Sequence, residues 1–294
     1  MTFTNMERVA KYSPEEIVEK LGLKPVTTYQ SEIISSPLEP SVVIAGAGSG
    51  KTETMSNRVL YLVANGFVTP DQILGLTFTR KAAGELSVRI RKRLRQLAAD
   101  KDFKHITSTS TSVTTYHSYA GKLLSEHAIR YGIDADAEPL GEAAIWQIAS
   151  DVVRNWSDDS YRNQSAVSTV IKDLLGLSKL MLEHQVKAED IERIGNEVLL
   201  SLQPLNGSSN AEVRDVAKAM RQRNSLLPMV ETFMQRRKAA GEFSFDDQMS
   251  LAADIAQNFE DVGVLERGKY KVVLLDEYQD TSQSQVRMLS SLYG

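Results

Sequence analysis

The feature that most constrains this chain is a glycine-rich loop between an apolar segment and a helical repeat. Val42-Val43-Ile44 predicts a short buried strand, and the apolar residues after Lys51 recur at helical spacing until Asn65-Gly66. Glycines let backbone N–H groups point at phosphate oxygens, and the following helix adds the positive end of its dipole. The pattern predicts a phosphate-binding loop that consists of Ala45, Gly46, Ala47, Gly48, Ser49, Gly50, Lys51 and Thr52.

Two side chains of this loop have the chemistry that a nucleoside triphosphate needs. Lys51 is placed to reach the β- and γ-phosphates, and the Thr52 hydroxyl is placed to bind Mg²⁺. The strict pattern has glycine where Ala45 stands, but a small side chain is compatible because the later glycines carry the turn. The alternative is a glycine-rich loop that only turns the chain. The predicted cofactors are therefore ATP and Mg²⁺.

A second acidic motif follows a buried strand near the end of the sequence. Residues 270–275 are mostly apolar and lead into Asp276 and Glu277. Asp276 is expected to hold Mg²⁺ through its water shell, and Glu277 to orient or deprotonate the attacking water. The alternative is a strand end whose two acids face solvent. We name Lys51, Asp276 and Glu277 as the candidate catalytic residues.

The spacing of these motifs predicts the domain organisation. Further apolar strands are expected at residues 73–78 and 113–116, with helices between them, which is typical of a parallel α/β sheet. Residues 120–240 show helical periodicity with polar loops such as 206–210. Lys51 and Asp276 lie 225 residues apart. We therefore predict one sheet domain in two parts, at residues 1–119 and 241–294. A helical insertion at residues 120–240 separates these parts.

Composition narrows the class of partner. The chain has no cysteine, no apolar stretch long enough for a membrane span and no signal peptide at its N-terminus, which favours the cytoplasm. The net charge is −4, yet residues 80–104 carry nine basic and three acidic side chains, a local charge of +6. Such a patch favours phosphate contacts, although a solvated helix face has the same composition.

These residues, in this order, resemble the motifs of the superfamily 1A helicases, the group of UvrD, Rep and PcrA. The resemblance covers the chain from about residue 25 to its end. Gln30 precedes Lys51 by 21 residues, as the family's adenine-reading glutamine does. The other matching segments are the loop 45–52, motif Ia at 77–83, motif Ib at 115–118, the point at 245–247 where the chain re-enters the first motor domain after the helical insertion, and motif II at 275–281. The family more often has asparagine where Arg80 stands.

The resemblance implies a RecA-like domain, called 1A, that a helical domain 1B interrupts. It also implies 3′-to-5′ movement on single-stranded DNA or at junctions of single- and double-stranded DNA, in repair or recombination. The DNA contacts that it implies are Thr77, Phe78, Arg80, Lys81, Tyr116 and His117. Phe78 and Tyr116 would stack on bases and the basic residues would bind phosphates, although both aromatic residues also suit a core.

Alternative functions remain at this stage. The sequence resembles actinobacterial UvrD-like proteins, some of which (AdnB) are motor arms of helicase–nucleases and have a partner subunit. A nucleotide-switch module that does not move on DNA is a second alternative. Nothing after Asp280 resembles the family's motif III. We therefore expect these 294 residues alone to bind Mg-ATP weakly, to hydrolyse it slowly and to unwind nothing.

Overall fold

The computed structural model describes residues 10–134, 136–157, 166–202 and 211–294. The predictions for the N-terminal signal segment and for the loop at 206–210 concern residues outside these ranges. The strands are β1 (Ile73–Thr77), β2 (Ser112–Thr115) and β3 (Val272–Leu275). The helices are α1 (Pro14–Lys20), α2 (Thr28–Ser35), α3 (Lys51–Ala64), α4 (Arg80–Ala98), α5 (Tyr116–His127), α6 (Glu142–Arg154), α7 (Val167–His184), α8 (Ala188–Leu202), α9 (Ala211–Ala239), α10 (Asp247–Asn258), α11 (Glu260–Lys269) and α12 (Gln283–Tyr293).

The three strands form one parallel sheet in the order β2-β1-β3. All five residues of the central strand β1 are buried, as its apolar sequence requires for a strand covered on both faces. The three strands predicted at 73–78, 113–116 and 270–275 are confirmed, with ends shifted by up to two residues. One of these shifts makes Tyr116 the first residue of α5 and not the last residue of a strand.

The strand predicted at Val42-Val43-Ile44 is wrong for this structure. The three residues have no strand hydrogen bonds, and the side chains of Val42 and Ile44 are 78% and 95% exposed. A strand needs a neighbour that accepts and donates its backbone hydrogen bonds. Among the described residues β3 is an edge strand, and no segment pairs with 42–44. Apolar composition alone therefore does not form a strand here.

The chain folds as two compact units. The first comprises the chain through Tyr119, Asp261–Thr281 and Tyr293, and the second comprises Ala120–Glu260, Ser282–Leu292 and Gly294. The domain boundaries given by the sequence remain a prediction. The compact units place residues 241–260 in the helical unit, whereas the predicted boundary assigns them to the sheet domain. The reason is that α10 packs against α7 within the helical unit and that the Ser250 hydroxyl donates to the carbonyl of Leu182 at 2.7 Å.

Local sequence explains the helices of the first unit. The Ser13 hydroxyl accepts from the N–H of Glu16, whose carboxylate accepts from the N–H of Ser13, so a capping box opens α1. Helix α4 has an apolar stripe at helical spacing. Its members, Leu86, Ile90, Leu94 and Leu97, are all buried in the core beside β1.

The helical unit has its own core. Residues of α6, α7, α8 and α9 form it, and its fully buried members include Ala149, Leu174, Val230 and Phe233. An ion pair between Arg237 and Asp247 is buried beside this core. Helix α8 packs closely on α9 through Gly195. No helix in the described ranges is long and apolar enough to cross a membrane.

Candidate nucleotide and DNA site

The glycine loop adopts a backbone that only glycine accepts easily. Gly48 and Gly50 have φ angles of 75° and 88°, in the left-handed region. Between them, Ser49 closes a turn, because its N–H and its hydroxyl both donate to the carbonyl of Gly46, at 3.3 and 2.8 Å. Gly50 is the N-cap of α3, and it makes no side-chain cap. The N–H groups at this helix start are therefore available to phosphate oxygens, as phosphate binding requires.

Lys51 and Thr52 open helix α3 directly after the loop. The Lys51 ammonium donates to the carbonyls of Ala45 and Gly46 at 3.3 and 3.4 Å, so the side chain folds back over the loop. Thr52 is half-buried in the first turn of the helix. This arrangement places a cation and a hydroxyl beside the loop that was predicted to bind phosphate.

Gln30 contacts the glycine loop. Its carbonyl oxygen accepts from the N–H of Thr27 at 3.0 Å in a capping box of α2, and its amide donates to the carbonyl of Ser49 at 3.2 Å. A Cβ added to Gly50 would lie 3.0 Å from the Gln30 amide nitrogen. The structure thus brings the predicted adenine residue to the loop and gives it a second role, since it holds the loop against α2.

Asp276 and Glu277 lie at the carboxyl end of β3. The N–H of Asp276 donates to the carbonyl of Leu76 at 2.9 Å, which extends the pairing of β3 with β1 by one residue. Glu277 has φ 52° and ψ 41°, a left-handed backbone that costs about 1 kcal/mol for a residue with a Cβ. Its N–H donates to the Asp276 carboxylate at 3.1 Å, and its own carboxylate accepts from the amide of Gln279.

The electrostatics of Asp276 link it to the glycine loop. Burial raises the pKa of the Asp276 carboxyl above its ordinary value, and the neighbouring charge of Glu277 raises it further. The N–H of Glu277 and the positive charge of Lys51 oppose this rise in pKa. Lys51 is thus close enough to Asp276 to act on its ionisation, although 225 residues separate them in the sequence.

The predicted DNA contacts differ in their exposure. Arg80, Lys81 and His117 are exposed, the first two in the first turn of α4 and the third in the first turn of α5. Thr77 and Tyr116 are 1% and 0% exposed, so their predicted direct contact with DNA is wrong for this structure. The Thr77 hydroxyl donates to the carbonyl of Thr79 at 3.1 Å and supports the turn before α4.

Tyr116 packs inward against the residue that follows β1. Its ring lies 5.0 Å from the ring of half-buried Phe78, in a tilted arrangement. Its hydroxyl donates to the backbone carbonyl of Asp276 at 3.2 Å. Base stacking therefore remains a prediction for Phe78 alone.

Sequence reasoning missed an ion pair that joins α3 to α4. Arg93 and Arg89 donate to the two carboxylate oxygens of Glu53 at 2.6 and 3.3 Å, and Arg93 also donates to the side chain of Asn57 at 3.1 Å. Two of the nine basic residues in 80–104 therefore hold the helix that carries Lys51. A signal was present, because Arg89 and Arg93 are four residues apart and share one face of α4.

The fold and the site define an α/β protein in which a glycine loop and an acidic strand end belong to one compact unit. Residues 26–294 match the UvrD/REP helicase N-terminal domain, and the chain belongs to this family. The resemblance to UvrD, Rep and PcrA is therefore confirmed.

Individual relatives have similar sequences over nearly the whole chain. The chain is 27% identical over 283 residues to ATP-dependent DNA helicase UvrD1 of Mycobacterium leprae (strain TN), which covers 96% of this chain and 32% of that protein. It is 29% identical over 273 residues to ATP-dependent DNA helicase UvrD1 of Mycobacterium tuberculosis (strain ATCC 25618 / H37Rv), and this match covers 93% of the chain and 30% of that protein. It is 26% identical over 276 residues to ATP-dependent DNA helicase PcrA of Staphylococcus aureus (strain Mu50 / ATCC 700699), and this match covers 92% of the chain and 32% of that protein. The chain spans about a third of the length of these relatives.

Proposed function

We propose that this chain is the ATP-binding part of an ATP-dependent DNA helicase that moves 3′ to 5′ on single-stranded DNA in repair or recombination. The observation that carries the proposal is that the glycine loop with Lys51 and the acidic end of strand β3 belong to one compact unit, in which the charge of Lys51 acts on the carboxyl of Asp276. A phosphate loop and an acidic strand end have to meet in this way for a bound Mg-nucleotide to contact both. The family membership and the relatives named as ATP-dependent DNA helicases support it.

In this proposal each loop residue has a separate task. The backbone N–H groups of residues 45–50 bind the phosphates, Lys51 leaves the loop carbonyls to pair with the β- and γ-phosphates, and Gln30 reads the adenine. Thr52 and Asp276 fit Mg²⁺, because a hydroxyl and a carboxylate are the oxygen ligands that this ion takes together with substrate phosphates. When bound, Mg²⁺ neutralises charge that develops on the transferring phosphoryl group.

Glu277 is the proposed general base. Its carboxylate is exposed next to Asp276 and accepts a hydrogen bond from Gln279, which orients it. The raised pKa of Asp276 has a consequence for this chemistry. Because Asp276 has to be ionised to hold Mg²⁺, protons should compete with the ion for this carboxylate as the pH falls.

DNA binding in this proposal depends on Arg80, Lys81 and His117. Their side chains are exposed in the first turns of helices that follow neighbouring strands, so all three lie near the carboxyl edge of the sheet. Cations at such positions bind phosphates without reading sequence. The RecA-like domain 1A and the helical domain 1B are further parts of the proposal. A motor arm of a helicase–nuclease, with its partner subunit, is the alternative to it. The isolated 294 residues should hydrolyse ATP slowly.

The test uses the full natural polypeptide that contains this chain. ATP hydrolysis is measured with and without single-stranded DNA for the unmodified protein, for Lys51→Ala and for Lys24→Ala, a control that removes an exposed lysine of the same unit. DNA should stimulate hydrolysis, and Lys51→Ala should lower the stimulated rate by about 100-fold or more while Lys24→Ala has no effect. Hydrolysis that ignores DNA would instead support a nucleotide switch. Full activity of Lys51→Ala would refute the assignment of the ATP site.

A further inference from the structure

Tyr116 connects the two flanking strands of the sheet across the end of the central one. It follows β2 directly, whereas Asp276 follows β3, and β1 lies between these strands. Neighbouring strands are about 4.8 Å apart, so the two strand ends are separated by about 10 Å. A tyrosine is long enough to span most of this gap. Its ring packs on Phe78 at the end of β1, and its hydroxyl reaches the carbonyl of Asp276 at 3.2 Å.

The carbonyl that Tyr116 holds belongs to the peptide unit between Asp276 and Glu277. The N–H at the other side of this peptide donates to the Asp276 carboxylate at 3.1 Å. Both polar groups of one peptide are therefore fixed, and the orientation of that peptide sets the φ angle of Glu277. This φ angle is 52°, which a residue with a side chain adopts only when its surroundings impose it.

The Tyr116 hydroxyl is suited to this task. Burial, with the nearby charge of Asp276 as a second cause, raises its pKa well above the ordinary value. A carbonyl oxygen can only accept, so the hydroxyl of Tyr116 is the donor of this hydrogen bond. The next residue in the chain is His117, which is exposed at the start of α5. Tyr116 thus lies between His117, a proposed DNA contact, and the backbone of Asp276 and Glu277, the proposed catalytic pair.

We infer that Tyr116 is a positioning residue that connects DNA contact at His117 to the placement of the Glu277 carboxylate through the carbonyl of Asp276. This inference rests on the proposed function, and it adds a route by which DNA raises the rate of hydrolysis. DNA that binds His117 restrains the start of α5, and the Tyr116 hydroxyl transmits this restraint to the peptide before Glu277. Tyr116 itself contacts neither DNA nor nucleotide.

The decisive variant is Tyr116→Phe, which removes only the hydroxyl and keeps the ring that packs on Phe78. A neutral hydrogen bond of this kind contributes about three- to ten-fold to a rate. We therefore expect kcat at saturating single-stranded DNA to fall about three- to ten-fold. The KM for Mg-ATP and the Kd for DNA should stay within about two-fold of the unmodified protein, because the variant changes the position of Glu277 and not either binding surface.

Tyr131→Phe is the matched control. The Tyr131 hydroxyl donates to the carboxylate of Asp254 at 2.9 Å inside the helical unit, so this variant also removes one tyrosine hydrogen bond. It should leave kcat, KM and the Kd for DNA unchanged. Thermal unfolding of both variants is measured in parallel, and Tyr116→Phe should unfold within a few degrees of the unmodified protein.

Each outcome decides between explanations. Unchanged kcat in Tyr116→Phe would overturn the inference while leaving the proposed function intact. A loss of DNA affinity would also overturn it, since it would make Tyr116 a direct DNA contact. An equal loss of kcat in Tyr131→Phe would reduce the effect to general destabilisation and would likewise overturn the inference. If DNA does not stimulate the unmodified protein, the proposed function and the inference fail together.

Discussion

Asp246 and Asp247 are adjacent in the chain, yet the structure gives them opposite importance for the helical unit. Asp247 pairs with Arg237, and the two side chains are only 9% and 7% exposed. The same carboxylate accepts from the N–H of Ser244 at 2.6 Å. Asp246 pairs with Lys179 at 2.8 Å, but these side chains are 63% and 57% exposed. Replacing each aspartate by alanine in a separate variant therefore compares the loss of a buried ion pair with the loss of an exposed one at adjacent positions of the chain.

The expected magnitudes differ severalfold. Asp247→Ala leaves the Arg237 guanidinium buried without its partner, which costs about 3–5 kcal/mol of unfolding free energy. Asp246→Ala removes an exposed ion pair, which contributes about 0–1 kcal/mol. With a urea dependence of about 2 kcal/mol per molar, a loss of about 4 kcal/mol lowers the unfolding midpoint by about 2 M. The same arithmetic predicts a change of at most about 0.5 M for Asp246→Ala.

Tryptophan fluorescence reports this unfolding selectively. The two tryptophans of the chain, Trp146 and Trp156, both lie in the helical unit. Urea titrations of the two variants and the unmodified protein give the midpoints directly. The double replacement Arg237→Met with Asp247→Leu should recover most of the lost stability, because an apolar pair carries no desolvation cost. Equal midpoints for the two alanine variants would refute the assignment of Asp247 to a buried pair.

Two further predictions concern packing and ionisation. Gly176→Ala, with no atom within 4 Å of the added Cβ, should stabilise the helical unit by about 0.5–1 kcal/mol, whereas Gly195→Ala should give a smaller gain, because its Cβ would lie 2.5 Å from the Asn224 oxygen and the side chains of Asn224 and Arg223 have to shift; equal urea midpoints for the two variants would contradict this. The raised pKa of Asp276 means that its contribution to stability is present at low pH and is lost as pH rises through the folded-state pKa. Asp276→Asn should therefore raise the melting temperature at pH 7, by an amount that shrinks as the pH falls towards the ordinary aspartate value of 3.8; a gain that does not depend on pH would contradict the assigned cause.

The sequence predicted local structure well because its signals are local. The capping box of α1 depends on Ser13 and Glu16, which are three residues apart, and the buried stripe of α4 depends on a spacing of three to four residues. Both are properties of a single helix. The strand at Val42-Val43-Ile44 fails as a prediction because a strand also needs a partner, and its composition carries no information about one.

In the candidate nucleotide site, too, the sequence predicted some features and missed others. The order and spacing of Gln30, Lys51 and Asp276 indicated a nucleotide site and a family, and the family is confirmed. The side-chain directions could not be predicted. Tyr116 was expected at a DNA surface, yet it is buried under the carbonyl of Asp276. The backbone of Glu277 carried no sequence signal, since left-handed positions usually have glycine or asparagine.

By itself, therefore, the sequence indicated the candidate site residues of this protein and most of the helices and strands that bear them. Only the tertiary structure decided that Arg93 of a basic helix faces inward to Glu53 and that Tyr116 faces the end of strand β3 instead of solvent. The physical reason is that a side chain at a strand end or on a helix face takes the direction in which it finds contacts. Those contacts come from segments 40 and 160 residues away in these two cases, and they exist only once the sheet and its helices have assembled.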